Sequence, residues 1–125
     1  MRFLFLVKCP EGDGPPPKSF MDFMGNAATE AFQAGTMIDT GGLAPSAMST
    51  RVRLEGGRVN ILDGPFSEAK EVIGGYAIME LPSREEACQS AKWLMDSHRE
   101  HWPGWEGEVE VRQMLGPDDF EQICR

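Results

Sequence analysis

Along residues 2 to 9 apolar side chains fall on both faces of an extended chain, Phe3, Phe5 and Val7 on one and Leu4 and Leu6 on the other. A two-sided apolar pattern suits a central strand, so this segment is predicted to be the middle of a sheet. The pattern breaks at "PEGDGPPPK", because three consecutive prolines fit neither a helix interior nor a ladder. From Lys18 to Ala34 the apolar positions Phe20, Phe23, Met24, Ala27, Ala28, Ala31 and Phe32 recur every three or four residues, which is one face of a helix. Pro17 and Ser19 suit its start and Gly35 its end. Gly25 inside it costs about 1 kcal/mol against Ala, or marks close packing.

"TMIDTGGLAPSAMST" reads as a short strand near Met37 and Ile38 followed by a loop. In "RVRLEGGRVNIL" the alternation of Val52 and Leu54 with charge, the Gly56-Gly57 turn and the resumed alternation at Val59 and Ile61 predict a tight hairpin. A two-residue turn pairs Leu54 with Val59 and Val52 with Ile61, so all four share a face. Arg51, Arg53, Glu55, Arg58 and Asn60 take the other face, which is either solvent or the wall of a wet cavity. "VIGGYAIMEL" is a further strand in which Gly74-Gly75 marks a bulge or a close backbone approach. "SREEACQSAKWLMDSHREH" is a second helix, with Ser83 and Glu86 as a capping box, Ala87, Ala91, Leu94, Met95 and His98 on one face, and Pro103-Gly104 ending it. "EVEVRQML" alternates as a last strand. The order is βαββαβ with an extra central hairpin, one α+β domain over residues 1–125, with no internal repeat and no dividing linker. Seven methionines, Met21, Met24, Met37, Met48, Met79, Met95 and Met114, read as adaptable core filling.

Charge narrows the partners. Twelve basic residues against 20 acidic ones give a net charge of −8, and no run of Lys or Arg offers a local patch for a phosphate backbone, so no nucleic acid is expected. Cys9, Cys88 and Cys124 are odd in number and widely spaced, without a Cys-x-x-Cys pair, which fits a reducing cytoplasm. The apolar run behind Arg2 stops at Lys8, too short for a signal peptide, and nothing approaches a membrane span. His98 and His101 are three apart near a helix end but have no third clustered ligand, so no metal is expected and His101 reads as a charge complementing the helix dipole. "HWPGW" places Trp102 and Trp105 around a turn, as a hydrophobic lid, a dimer contact or a ligand platform. No nucleophile motif, phosphate loop or dinucleotide fingerprint is present, and no cofactor is expected.

The stretch "DGPFSEAKE", residues 63 to 71, holds the densest chemistry. An Asp at a strand end usually accepts from the backbone N–H two residues on, but that residue is Pro65, which has none. Asp63 is left to accept from the N–H of Phe66 or to serve a site. Gly64 can adopt backbone conformations closed to bulkier residues, and the Gly64–Pro65 bond is either cis or trans. Phe66 is a core plug or the apolar wall of a pocket. Glu68, Lys70 and Glu71 form a solvated loop, unless Glu71 faces the cavity of Asp63. Two carboxylates in one dry cleft are a usual basis of acid–base work, whereas Lys70 would neutralise them.

The longer run "DGPFSEAKEVIGGY" resembles the signature of the DGPF family, the YCII-related small bacterial proteins, whose usual form has Ala where this chain has Ser67 and Thr where it has Ala69. "MRFLFLVK", "RVRLEGGRV" and "EGEVEVRQ" resemble the family's first strand, central hairpin and last strand. The resemblance implies a ferredoxin-like α+β fold that pairs through its sheets into a dimeric α+β barrel, hence a homodimer. Broader relatives carry a proposed His and Asp pair, with the His on the first helix and an Asp-Pro-Tyr segment before the last strand. This chain has no His before His98 and has "HWPGWEGE" in that place, so the pair is not carried over. The leading expectation is a small-molecule site between the paired sheets. Asp63 and Glu71 are its candidate acid–base residues, and Arg51, Arg53, Phe66 and Lys70 its candidate ligand contacts. An enzyme of the lyase, isomerase or monooxygenase kind follows from fold analogy alone. The competing expectation is a non-catalytic regulatory or interaction module, since some relatives are associated with sigma-factor systems; a basic protein would then meet the acidic surface, and DGPF would be a structural clasp.

Overall fold

The computed structural model describes residues 1–12, 14–66 and 69–123, which leaves Asp13, Ser67, Glu68, Cys124 and Arg125 outside it. In chain order the elements are β1 (Arg2–Cys9), α1 (Lys18–Ala34), β2 (Met37–Gly42), a 3-10 turn (Ser46–Met48), β3 (Thr50–Glu55), β4 (Arg58–Asp63), β5 (Val72–Glu80), α2 (Arg84–His101), β6 (Glu108–Gln113) and α3 (Pro117–Ile123). One antiparallel sheet has the order β2-β5-β1-β6, and β3 with β4 forms a separate two-stranded sheet.

The two-sided apolar pattern of β1 has the expected result, since β1 lies between β5 and β6. Phe3 and Phe5 are each 2% exposed and pack with Leu81, Ala87 and Ala91, flanked by Ala77, Met79, Val109 and Val111. The short side chains of Ala87 and Ala91, one turn apart, let α2 lie close on the sheet. Ser83 caps this helix by accepting from the Glu86 N–H at 3.2 Å. Val7 pairs with Gly75 and Lys8 with Ile73, so Gly74 is the extra residue of a bulge.

Three expectations change. The strand begun at Met37 continues to Gly42, because Asp39 to Gly42 pair with β5 beyond a bulge at Ile38. Helix α3 was not foreseen; its 7 residues show no apolar period long enough to read, and Phe120 on it is exposed. Met21, Met48 and Met114 are exposed rather than core filling, while Met24, Met37, Met79 and Met95 are half-buried.

The hairpin has the predicted register, Leu54 opposite Val59 and Val52 opposite Ile61, with Gly56 at φ 55° and Gly57 at φ 77° as a turn matching strand twist requires. Its apolar face is nevertheless open: Val52, Leu54, Val59 and Ile61 are 65–72% exposed. The second face of the large sheet is also uncovered by either long helix, and there Leu4 lies opposite Ile78 and Leu6 opposite Tyr76. Salt-bridged Lys8 and Glu110, 2.7 Å apart, flank that apolar centre. Phe3→Ala is expected to cost about 3–5 kcal/mol of stability in urea unfolding, the range for removing a buried Phe side chain.

Candidate functional site

Helix α1 meets α2 through large rings. Phe20 lies tilted at 4.6 Å from His98 and 5.3 Å from Trp102, and Phe23 lies tilted at 5.8 Å from Trp93 and stacks at 4.1 Å on His101. Further along, α1 presents Ala27, Ala28 and Ala31 toward Gly74, Gly75 and Ala77 of β5, where neither side has a side chain long enough to close the gap. The result is a cavity of about 1770 Å³ walled by α1, the Phe5 face of the sheet, α2 and the proline-rich loop after β1. No residue of α1 is buried, since its apolar face looks into this space.

His98 is a titratable ring in the wall, 5% exposed, with the Trp105 ring centre at 4.2 Å. Its Nδ1 lies 2.8 Å from the Leu94 carbonyl oxygen. A carbonyl only accepts, so Nδ1 carries the hydrogen and Nε2 keeps its lone pair. Burial pushes the His98 pKa below its ordinary value, against the upward pull of the Leu94 carbonyl, and the ring is neutral.

The DGPF loop is tied down elsewhere. Asp63 is exposed and accepts from the Thr50 hydroxyl at 3.0 Å across the hairpin base. The Phe66 N–H goes to Ser46 Oγ at 3.3 Å, not to Asp63. Ser46, itself buried, is held through both its N–H and its hydroxyl by the Glu11 carboxylate, and these bonds lower the Glu11 pKa, the hydroxyl bond most. The Gly64 N–H donates to the Ser49 carbonyl at 2.9 Å, and the Gly64–Pro65 bond is cis. A Cβ on Gly64 would stand 1.7 Å from the Ser46 carbonyl oxygen, so the backbones touch where only glycine fits. Phe66 is 8% exposed and capped by the Arg51 guanidinium, 3.8 Å from the ring centre.

Of the sequence candidates, Arg51 and Phe66 are brought together. Arg53 is apart from them on the hairpin, 3.7 Å from Glu55, and Lys70 is exposed. Glu71 lines a crevice with Pro10, Glu106, Gly107 and Glu108, and Asp63 is not among its lining residues. Among the described residues of the DGPF stretch, Pro65 is the one that lines the large cavity. Among the described residues no three His, Cys, Asp or Glu side chains gather as a metal site requires. What sequence reasoning missed is the cavity and the place of His98 in it. Two signals existed: small residues on the apolar face of α1, and a His on the apolar face of α2 among aromatics.

Residues 1–94 match the family model of the YCII-related domain. The chain is 29% identical over 66 residues to the uncharacterized protein R00369 of Rhizobium meliloti (strain 1021), a match covering 53% of each chain. It thus spans about half the length of that curated relative.

Gly64→Ala is expected to destabilise by about 1–3 kcal/mol or more, because the Ser46 backbone must move. Gly25→Ala in α1, where a Cβ meets nothing within 4 Å, is expected to stabilise by about 0.5–1 kcal/mol; chemical denaturation reads both. For His98 the folded pKa lies below the unfolded value of 6.5, so the unfolded chain takes up the proton first. Stability is expected to fall as pH drops below about 6.5 and to level off below the folded pKa. Urea midpoints measured from pH 7.5 to 5 should carry this slope in the wild type and lack it in His98→Phe.

Proposed function

The chain belongs to the YCII-related family, and on that premise we propose that it is a homodimeric binding protein for an apolar small molecule held in the cavity beneath α1. The observation that carries the reading is the cavity itself: about 1770 Å³ of mainly apolar wall, above the roughly 300–1,000 Å³ of ordinary ligand pockets. The DGPF loop lines it in part, through Pro65, while Gly64 and Phe66 fasten that loop to the Ser46 turn. Asp63 and Glu71 face separate surroundings, so the reading assigns them no joint acid–base step.

The strand order with both long helices against one face fits a ferredoxin-like βαββαβ domain carrying an extra hairpin. The open face around Leu4, Leu6, Tyr76 and Ile78 suits the pairing of two such sheets into a barrel. The hairpin supports the dimer independently. A two-stranded unit is marginal in water by itself, and this one exposes four apolar side chains on one face. A second copy is the commonest partner for such surfaces. No described helix is long and apolar enough to cross a membrane, and the free thiol of Cys88 fits a reducing cytoplasm.

The competing reading, a regulatory module for a basic protein partner, draws on the same exposed hairpin and on the net charge of −8. Native mass spectrometry on gently purified protein separates the two. The expected species is a dimer carrying a small molecule. Ala28→Trp, which fills the cavity from α1, should remain dimeric and lose that molecule, while Leu54→Asp should be monomeric. A wild-type dimer that carries nothing and takes up no apolar compound overturns the binding reading and leaves the module.

A further inference from the structure

The aromatic end of the cavity has a chemistry of its own. Phe20, Trp102 and Trp105 surround His98, with ring centres 4.6 Å, 6.4 Å and 4.2 Å from the imidazole. All three belong to the cavity wall, and so does His98. The hydrogen on Nδ1 is committed to the Leu94 carbonyl, which leaves Nε2 as an acceptor and nothing else. Nε2 has no hydrogen-bond partner among the described residues, and among these residues no fully buried side-chain nitrogen or oxygen lacks one. Nε2 therefore retains an opening, and the space its residue faces is the cavity.

We infer that His98 is the polar anchor of the cavity: its Nε2 accepts a hydrogen bond from a neutral, mainly aromatic ligand bearing one O–H or N–H donor. This inference rests on the cavity-binding reading and adds the ligand's class and orientation. The rings of Phe20, Trp102 and Trp105 supply faces and edges for a planar aromatic system, and such contacts favour rings over flexible chains of equal size. The rings around the imidazole, Phe20, Trp102 and Trp105, are uncharged and would not neutralise a charged ligand. A ligand with an acceptor alone would face the Nε2 lone pair unfavourably, and a pure hydrocarbon would leave it unpaired. The selectivity is thus for a donor, in one place.

Equilibrium dialysis with 2-naphthol and naphthalene, at pH 7.5, tests this. The two probes share a ring system and differ in the one hydroxyl. Replacing His98 by Phe keeps the site aromatic and removes the acceptor. His98→Phe is expected to weaken 2-naphthol by about 3–10-fold, the worth of one neutral hydrogen bond, and to change naphthalene by less than about twofold. His98→Gln, which retains an acceptor oxygen, should recover part of the loss. If both probes weaken equally in His98→Phe, or neither does, His98 is packing and not an anchor, while the cavity reading stands. If neither probe binds the wild type, the cavity reading falls and this inference falls with it. Far-ultraviolet circular dichroism on both variants checks that the helices persist.

Discussion

The spacing between α1 and the sheet governs the rest of the structure. Helix α2 approaches the sheet closely at its N-terminal half because Ala87 and Ala91 lie over Phe3 and Phe5. Its C-terminal half carries Trp93, His98 and Trp102, and these rings meet Phe20 and Phe23 of α1. Large side chains at that contact set α1 at a distance that alanines cannot bridge. Ala27, Ala28 and Ala31 then face Gly75 and Ala77 across open space. A space of this size is open to water, which wets its mainly apolar lining. Displacing that water would give an apolar ligand its driving force.

The DGPF stretch solves a different problem. The chain must leave a four-stranded sheet, build a hairpin that touches little else, and return to the sheet centre at β5. The Ser46 turn is the post for this detour. Glu11 from the loop after β1 grips it from one side, and Gly64 and Phe66 close on it from the other. Gly64 is fixed by backbone contact and Phe66 by burial beneath Arg51, so their chemistry is that of a fastening. Asp63 differs, being exposed and bonded to Thr50 at the hairpin base. Its carboxylate stabilises the point where the arm departs and remains accessible to solvent.

Periodicity made the frame legible. The central position of β1, both helix spans, the hairpin register and the Gly74 bulge follow from local pattern, because each depends on neighbours in sequence or across one turn. The site was less legible, for a physical reason. A hydrophobic residue reads the same whether it faces a partner or a void, and the emptiness opposite Ala28 depends on how far α1 stands from β5. The hairpin failed in the opposite sense: alternation placed Val52, Leu54, Val59 and Ile61 correctly on one face, but alternation reports a face that needs cover, not one that the same chain covers. Glu71 and Asp63 are eight positions apart in sequence, yet Asp63 bonds to Thr50 at the hairpin base while Glu71 lines a crevice with Pro10 and Glu106.

His98 shows how one residue can be both core and site. Its position on the apolar face of α2 makes it a packing residue, and at 5% exposure it is one. An imidazole differs from a Phe of similar shape in having two nitrogens whose roles are coupled: once one is a donor, the other in the neutral ring is an acceptor. The helix itself settles that choice, because the Leu94 carbonyl one turn back takes the Nδ1 hydrogen. Burial keeps the ring neutral, so the acceptor persists in ordinary buffer conditions rather than turning into a second donor. The fold thereby presents a single oriented lone pair within an aromatic wall, at the same contact that holds α1 away from the sheet. The opening of the cavity and the placing of His98 in its wall thus have a common origin in the ring contacts between α1 and α2.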